Sequence, residues 1–247
     1  MSGVKDFARH PRGAMQRARA DAWLLRRTLK LAFQKRIQGD TVEQLHRVYY
    51  DGALFGDTRA STYWLGVRVD KCPLDLWIYQ ELLFEHRPEV IVETGTATGG
   101  SALFFASILD LIGGAGRVVT SDVDDQFDRP THDRIEYLDG SSVAAETLAR
   151  VAEIVGDRTA MVFLDSDHTR NHVLAELRAY RSFVQPGGYL VVEDTNLNGR
   201  PVSPEFGPGP GEAVDAFLSE DDRFARDSGC EKFYLTFNPG GYLKRLR

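Results

Sequence analysis

Cysteine is scarce: Cys72 and Cys230 are the only two in 247 residues. Far apart and without a partner at metal-ligand spacing, they exclude a disulfide framework and read as reduced thiols. Long apolar runs are missing too. None is long enough to cross a bilayer, and the N-terminus has no apolar core ahead of a cleavage site, so a soluble, cytoplasmic protein with no integral membrane segment is expected. Positive charge is not in excess: 30 Lys and Arg against 36 Asp and Glu leave a net charge of −6 and no general case for nucleic acid as a partner. The dinucleotide spacing G-x-G-x-x-G is absent as well, which counts against a dehydrogenase.

What is present suffices for one well-buried α/β domain with a modest N-terminal addition. Residues 1–40 are rich in Lys and Arg interleaved with Trp23, Leu24, Leu25, Leu29 and Phe33, an amphipathic helical pattern. Such a segment packs on the main domain or on another subunit, or lies on an anionic membrane surface; packing is the favoured reading. The main domain spans 41–247. Thr41 caps a short helix running to Tyr50, and Pro73 with Asp75 opens another that ends near His86. The aromatic-rich stretch from Thr62 to Leu83, with Trp64, Lys71 and Tyr79, reads either as cover for a sheet or as the mouth of a substrate site.

The chain is organised around Val90-Ile91-Val92-Glu93-Thr94-Gly95-Thr96-Ala97-Thr98-Gly99-Gly100-Ser101. A buried parallel strand breaks at glycines and opens into a helix, which places backbone N–H groups and a helix dipole where a carboxylate or phosphate binds. Glu93 would repel a pyrophosphate but can pair with an ammonium. The E-x-G-x-x-x-G-G pattern resembles motif I of the class I methyltransferases, whose cofactor is S-adenosylmethionine; the plain alternative is a tight turn of any doubly wound domain. Arg117 to Asp122 reads as the second strand, with Asp122 placed either for ribose hydroxyls or as a solvated loop acid. After a third strand, Ile135 to Leu138, the residues Gly140, Ser141 and Ser142 either meet an adenine edge or cap the helix from Val143 to Val155.

Strand four, Ala160 to Leu164, ends in Asp165-Ser166-Asp167-His168; strand five, Gly188 to Val192, ends in Glu193-Asp194. Neighbouring parallel strands lie about 4.8 Å apart, so these acids share one sheet edge. Oxygen ligands there suit Mg²⁺, with Mn²⁺ as a substitute, and would relieve the repulsion among the acids. Solvated acids and helix caps are the plainer reading. His168 alone among the six histidines sits in this ring, placed to take a proton from a substrate hydroxyl. His172, four residues on, shares a helix face with it. The Pro- and Gly-rich segment from Asn196 to Gly211 is expected to cover the acceptor as a lid. A helix from Glu212 to Leu218 and a hairpin pairing Lys232–Phe237 with Gly241–Arg245 should close the chain.

The two acid-ended strands resemble the metal-dependent catechol-type O-methyltransferases. A closer resemblance, over about residues 40–247, is to the rhamnosyl O-methyltransferases and so-called cephalosporin hydroxylases. It rests on Asp75-Leu76-Trp77-Ile78-Tyr79-Gln80-Glu81, the loop from Glu93 to Ser101, Leu164 to His168, Val191 to Asn196, Asn198-Gly199-Arg200-Pro201-Val202 and Phe206 to Pro210. The resemblance implies a Rossmann-like class I methyltransferase: a mostly parallel seven-stranded sheet with an antiparallel last strand, plus N-terminal helices. It implies S-adenosylmethionine, Mg²⁺ and a homo-oligomer, with a small-molecule hydroxyl acceptor such as a rhamnosyl sugar or a natural-product tailoring substrate. The cofactor would meet Glu93, Gly95, Thr96, Gly99, Gly100, Ser101, Asp122, Gly140, Ser141, Ser142 and Asp165. Asp165, Glu193 and Asp194 would hold the metal, Asp167 remaining an alternative to Asp165. His168 and Asp165 would be catalytic, with His168 where the catechol enzymes carry a lysine base. No 2-His-1-carboxylate triad is legible for oxygen chemistry. The alternative class is a non-catalytic cofactor-binding partner of an oxygenase.

Overall fold

The computed structural model describes Arg26, Gly39 and residues 41–50, 61–124 and 127–247. The basic segment 1–40 lies outside the described residues apart from those two positions. Residues 41–50 are helical (α1). A short antiparallel pair, β1 (Tyr63–Trp64) and β2 (Val67–Arg68), precedes α2 (Pro73–His86). The main succession is β3 (Val90–Thr94), α3 (Gly100–Ile112), β4 (Arg117–Asp122), β5 (Ile135–Asp139), α4 (Ala145–Val155), β6 (Ala160–Leu164), α5 (Arg170–Tyr180) and β7 (Tyr189–Val192). It closes with α6 (Pro210–Glu220), β8 (Phe224–Arg226) and β9 (Tyr242–Arg245). Among the described residues no helix is long and apolar enough to cross a membrane.

Seven strands form one sheet in the order β5-β4-β3-β6-β7-β9-β8. β3 to β7 run parallel, whereas β9 is antiparallel to both β7 and β8. β3, β6 and β7 are buried along their whole length, because helices cover both faces and make every position a core position. The period of two then divides their side chains. Val90, Val92, Val162, Leu164, Leu190 and Val192 pack with the helices α4, α5 and α6. Ile91, Met161, Phe163, Tyr189 and Val191 pack with α2 and α3 on the opposite side.

Strand order reverses between β4 and β6 on either side of β3, so their loops diverge at the carboxyl edge and leave a crevice. Two glycines let the backbone close in there. Gly95 follows β3 at φ +84°, and a Cβ on it would fall 1.9 Å from the carbonyl oxygen of Asp165. Gly100 starts α3, and a Cβ on it would fall 1.9 Å from the carbonyl oxygen of Arg68. The β1–β2 pair is thereby seated on the helix N-terminus, where Thr98 Oγ1 donates to the same carbonyl at 2.6 Å.

The expected closing hairpin is corrected. Ser228–Glu231 forms a 3-10 turn, residues 232–237 are irregular, and β9 pairs with β7 and β8. The reason is local: Leu235 and Phe237 bury against Cys72 with Tyr49 and Tyr50. The amide of Phe237 donates to Asp75 Oδ2 at 2.8 Å instead of to a ladder. Asp75 also accepts from Tyr242 Oη at 2.8 Å, and Asn238 Nδ2 donates to Tyr79 Oη at 2.7 Å. This latch joins the first turn of α2 to the last strand.

Replacing Asp75 by Ala orphans two buried donors at about 1–3 kcal/mol each, so urea denaturation should show a loss of about 2–6 kcal/mol. Burial pushes the Asp75 carboxyl up to about 6. A carboxyl raised on folding stabilises most below its ordinary range, and that contribution fades as pH rises through about 6. The wild-type advantage over Asp75→Ala should therefore be larger at about pH 4 than at about pH 8.

Candidate active site

A cavity of about 500 Å³ opens at the carboxyl edge of the sheet, large enough for a nucleoside-sized ligand. Gly95 and Ala97 from the loop after β3 line one wall, with Asp122 at the end of β4 and Gly140, Ser141 and Ser142 after β5. Asp165, Ser166, Asp167 and His168 after β6 line the other, together with Asp194 and His172. Asp122 accepts from the Ala97 amide at 2.7 Å and the Asp124 amide at 3.0 Å, which fixes its carboxylate at the rim. Arg129, donating to the carbonyls of Ala97 and Asp124, ties the two loops together.

Glu93 is placed differently. It is fully buried and outside the cavity lining, accepting from Thr120 Oγ1 at 2.7 Å. Thr96 Oγ1 lies 2.7 Å from that same hydroxyl. Burial raises the Glu93 carboxyl, against the opposing charge of Lys71. Gly99, in the left-handed region, and Gly100 shape the start of α3, and Ser101 is buried behind them. Glu93, Thr96, Ser101 and Thr120 are buried beneath the loop, and Gly99 and Gly100 belong to its end.

Across the cavity, Asp165, His168 and Asp194 bring ligand atoms within 4.8 Å of one another. His168 Nε2 donates to Asp165 Oδ1 at 3.1 Å and lies 3.5 Å from Asp194 Oδ2. Asp194 holds φ at +52°, a left-handed conformation that Asp tolerates better than most residues. Its amide donates to Asn238 Oδ1 at 3.0 Å, so the unusual backbone is pinned from the neighbouring loop. The two converging carboxylates offer oxygen donors that a hard divalent cation fits, with the imidazole beside them. Asp167 is spent elsewhere, accepting from the Thr169 amide at 2.8 Å ahead of α5.

Lys71 occupies the other side of Asp165. Its Nζ donates to Asp165 Oδ2 at 2.6 Å and to Glu193 Oε1 at 2.8 Å. Glu193 therefore faces the ammonium and stands outside the Asp165–His168–Asp194 trio. Burial works against the ammonium, but Asp165 and Glu193 hold its pKa well above the ordinary lysine range. Burial raises Glu193 despite Lys71, whereas Lys71 and His168 keep Asp165 low against the same burial. Burial also opposes a charged His168. The Asp165 hydrogen bond and the charges of Asp194, Asp165 and Glu193 overcome it and push the imidazole up to about 9.

The substrate-mouth reading of the aromatic stretch is corrected for Trp64, Lys71 and Tyr79, whereas Arg68 and Asp70 of the same stretch do line the cavity. Lys71 is 3% exposed and Tyr79 fully buried, neither lining the cavity. Trp64 packs edge-on to Phe104 and donates to Ser107 Oγ at 3.1 Å on α3. The Asn196–Gly211 segment is anchored instead of hanging free: Leu197 and Val202 are buried, and Arg200 pairs with Glu212 and Asp215. None of its residues lines the cavity. His172 was the residue the sequence undervalued. It lines the cavity 3.0 Å from Ser142 Oγ and 3.6 Å from the buried Glu176; the shared helix face is corrected, because His168 precedes α5 and meets the same cavity from the loop.

The sheet order, the glycine loop after β3 and the acids after β6 and β7 define a class I methyltransferase. Comparison with known proteins narrows this. The family described as Rhamnosyl O-methyltransferase/CmcI matches residues 57–246. A rhamnosyl O-methyltransferase of Mycobacterium tuberculosis (strain H37Rv) is 37% identical over 210 residues, covering 82% of this chain and 84% of the relative. One from Mycobacterium leprae is 36% identical over 209 residues, covering 82% and 90%. Among solved structures, CmcI with Mg and SAM superposes with a TM-score of 0.59 at 23% identity, covering 76% of this chain and 78% of that one. The chain belongs to the rhamnosyl O-methyltransferase/CmcI family, and it is an S-adenosylmethionine-dependent O-methyltransferase.

Two outcomes follow from the geometry. Gly95→Ala should cost about 2–4 kcal/mol, combining left-handed strain with overpacking against Asp165. Gly66→Ala, also at positive φ but with nothing within 4 Å, should cost only about 1–2 kcal/mol; equal losses in thermal denaturation would contradict the close-approach argument. His168, raised on folding, stabilises the metal-free protein fully below its ordinary value of 6.5, and this is lost as pH rises through about 9. The stability gap between wild type and His168→Asn should narrow over that interval, and imidazole NMR resonances should report the same midpoint.

Proposed function

We propose that the chain moves the methyl group of S-adenosylmethionine onto a hydroxyl of a small molecule, a rhamnosyl-type sugar, with a divalent metal at Asp165 and Asp194. The observation that carries this reading is the single cavity in which the Asp165–His168–Asp194 cluster faces Asp122, Ser141 and Ser142. A cofactor lying along the second set would present its methyl to an acceptor held at the first. The relatives named rhamnosyl O-methyltransferases support the sugar acceptor. The CmcI structure with Mg and SAM shares this fold.

Gly95 and Ala97 bring backbone close to the cofactor, while Asp122 offers its remaining acceptor capacity to ribose hydroxyls. Ser141 and Ser142, with His172 beside them, border the adenine end. Glu93 acts through Thr120 and Thr96, holding the loop rigid from below. Glu193, bonded to Lys71 through Oε1 and outside the cavity lining, would join the ligand group only by turning its carboxylate toward Asp165 and Asp194. When bound, Mg²⁺ or Mn²⁺ supplies Lewis acidity that favours an ionised acceptor hydroxyl. His168 would receive the acceptor's proton as the neutral imidazole with Nε2 unprotonated, the atom facing Asp165 and Asp194. Lys71 is no candidate for that role, since its ammonium is locked between two carboxylates away from the cavity. A homo-oligomer fits exposed Trp77 and Phe84, two turns apart on α2, and light scattering in solution checks it.

Methyl transfer from labelled cofactor to rhamnosyl glycosides tests the reading. Activity should require Mg²⁺ or Mn²⁺ and vanish on chelation, with His168→Ala lowering kcat by about 10²–10⁴ and leaving calorimetric cofactor binding intact. Cofactor binding without transfer to any hydroxyl would favour the non-catalytic partner instead.

A further inference from the structure

Four carboxylates gather at the carboxyl edge of the sheet: Glu93, Asp165, Glu193 and Asp194. Two basic groups stand against them, His168 at the cavity and Lys71 beneath it. Lys71 is 3% exposed, reaches neither solvent nor acceptor, and bonds one oxygen of Asp165 and one of Glu193. Asp165 is thus shared: Oδ2 belongs to the ammonium while Oδ1 turns to His168 and the cavity.

Two opposed consequences follow from elementary electrostatics. Without a metal, the buried or half-buried carboxylates of Asp165, Glu193 and Asp194, gathered at one edge, would repel one another and lose their solvation, so a fixed cation is needed to keep them ionised and close together. With a metal, that same cation stands across a single carboxylate from a divalent charge, and like charges in a poorly solvated site repel strongly. We propose that Lys71 is a permanent counter-ion of the metal site: it keeps Asp165 and Glu193 assembled in the metal-free protein and weakens divalent-ion binding, so that the metal is exchangeable. The inference rests on reading the acid cluster as a metal site.

A lysine that merely propped up the ligands would behave in the opposite way, because its loss would loosen the acids and weaken the metal. The test is calorimetric titration of the intact protein with Mn²⁺, alongside melting curves with and without Mn²⁺. Wild type should bind one Mn²⁺, and Asp194→Asn should bind it more weakly. Lys71→Met should bind it about tenfold or more tightly, since a unit charge has been removed from beside the ion. Its metal-free melting temperature should drop, and saturating Mn²⁺ should restore most of the loss, giving a larger metal-induced shift than in wild type. Unchanged or weaker Mn²⁺ binding by Lys71→Met, with a melting deficit that Mn²⁺ does not repair, would overturn the proposal while leaving the metal site standing. No Mn²⁺ binding by wild type, or none of the expected weakening in Asp194→Asn, would overturn the metal-site reading and the proposal with it. Should Lys71→Met fail to fold, the comparison moves to a Glu193→Gln background, which removes one acid to match the lost ammonium. There the added Lys71→Met should again tighten Mn²⁺, and a failure to do so counts against the proposal in the same way.

Discussion

The contact between Gly95 and the carbonyl of Asp165 is the constraint from which the site follows. β3 and β6 pair in register as far as Thr94 and Leu164, so the residues one step beyond meet backbone to backbone. No side chain fits between them. That absence sets the glycine loop directly against the first acid of the Asp165–His168–Asp194 cluster, and it makes one cavity out of two segments that lie far apart in the chain.

Around that contact the difficulty is charge. A parallel sheet is the most thoroughly buried element of an α/β protein, yet two of its strands end here in carboxylates. The fold answers with a graded arrangement. Lys71 neutralises the deeper pair, His168 faces the shallower one, and Asp194 takes a left-handed backbone that turns its carboxylate toward the cavity. The Thr120 hydroxyl donates to Glu93 beneath the loop and is itself met by the Thr96 hydroxyl.

Much of this was legible in the residues. Apolar strands ending in Asp165 and in Glu193-Asp194 announced the acid edge, and the spacing of Gly95, Gly99 and Gly100 announced the loop. The order of elements and the antiparallel last strand came with the family resemblance. What escaped was whatever depends on contacts remote in sequence. Lys71 lies 94 positions from Asp165 and 122 from Glu193, and nothing local marks it as their partner. Glu93 looks like a ligand contact because its position is two before a glycine, but strand alternation turns it into the protein. The 232–237 stretch has strand composition, yet its amides are claimed by side chains from α1 and α2. Pattern predicts a ladder where tertiary hydrogen bonds have already used the donors.

The latch of Asp75 on Phe237 and Tyr242 has a consequence for biogenesis. Its two hydrogen bonds span 162 and 167 positions, so the first turn of the helix that follows Lys71 is not latched until β9 has left the ribosome. Asn238, which pins Asp194, arrives equally late. Long-range closure of this kind slows folding and leaves earlier segments waiting with apolar surface uncovered. During synthesis the nascent chain therefore carries an unsealed sheet edge at β7, the place where a chaperone would be of most use.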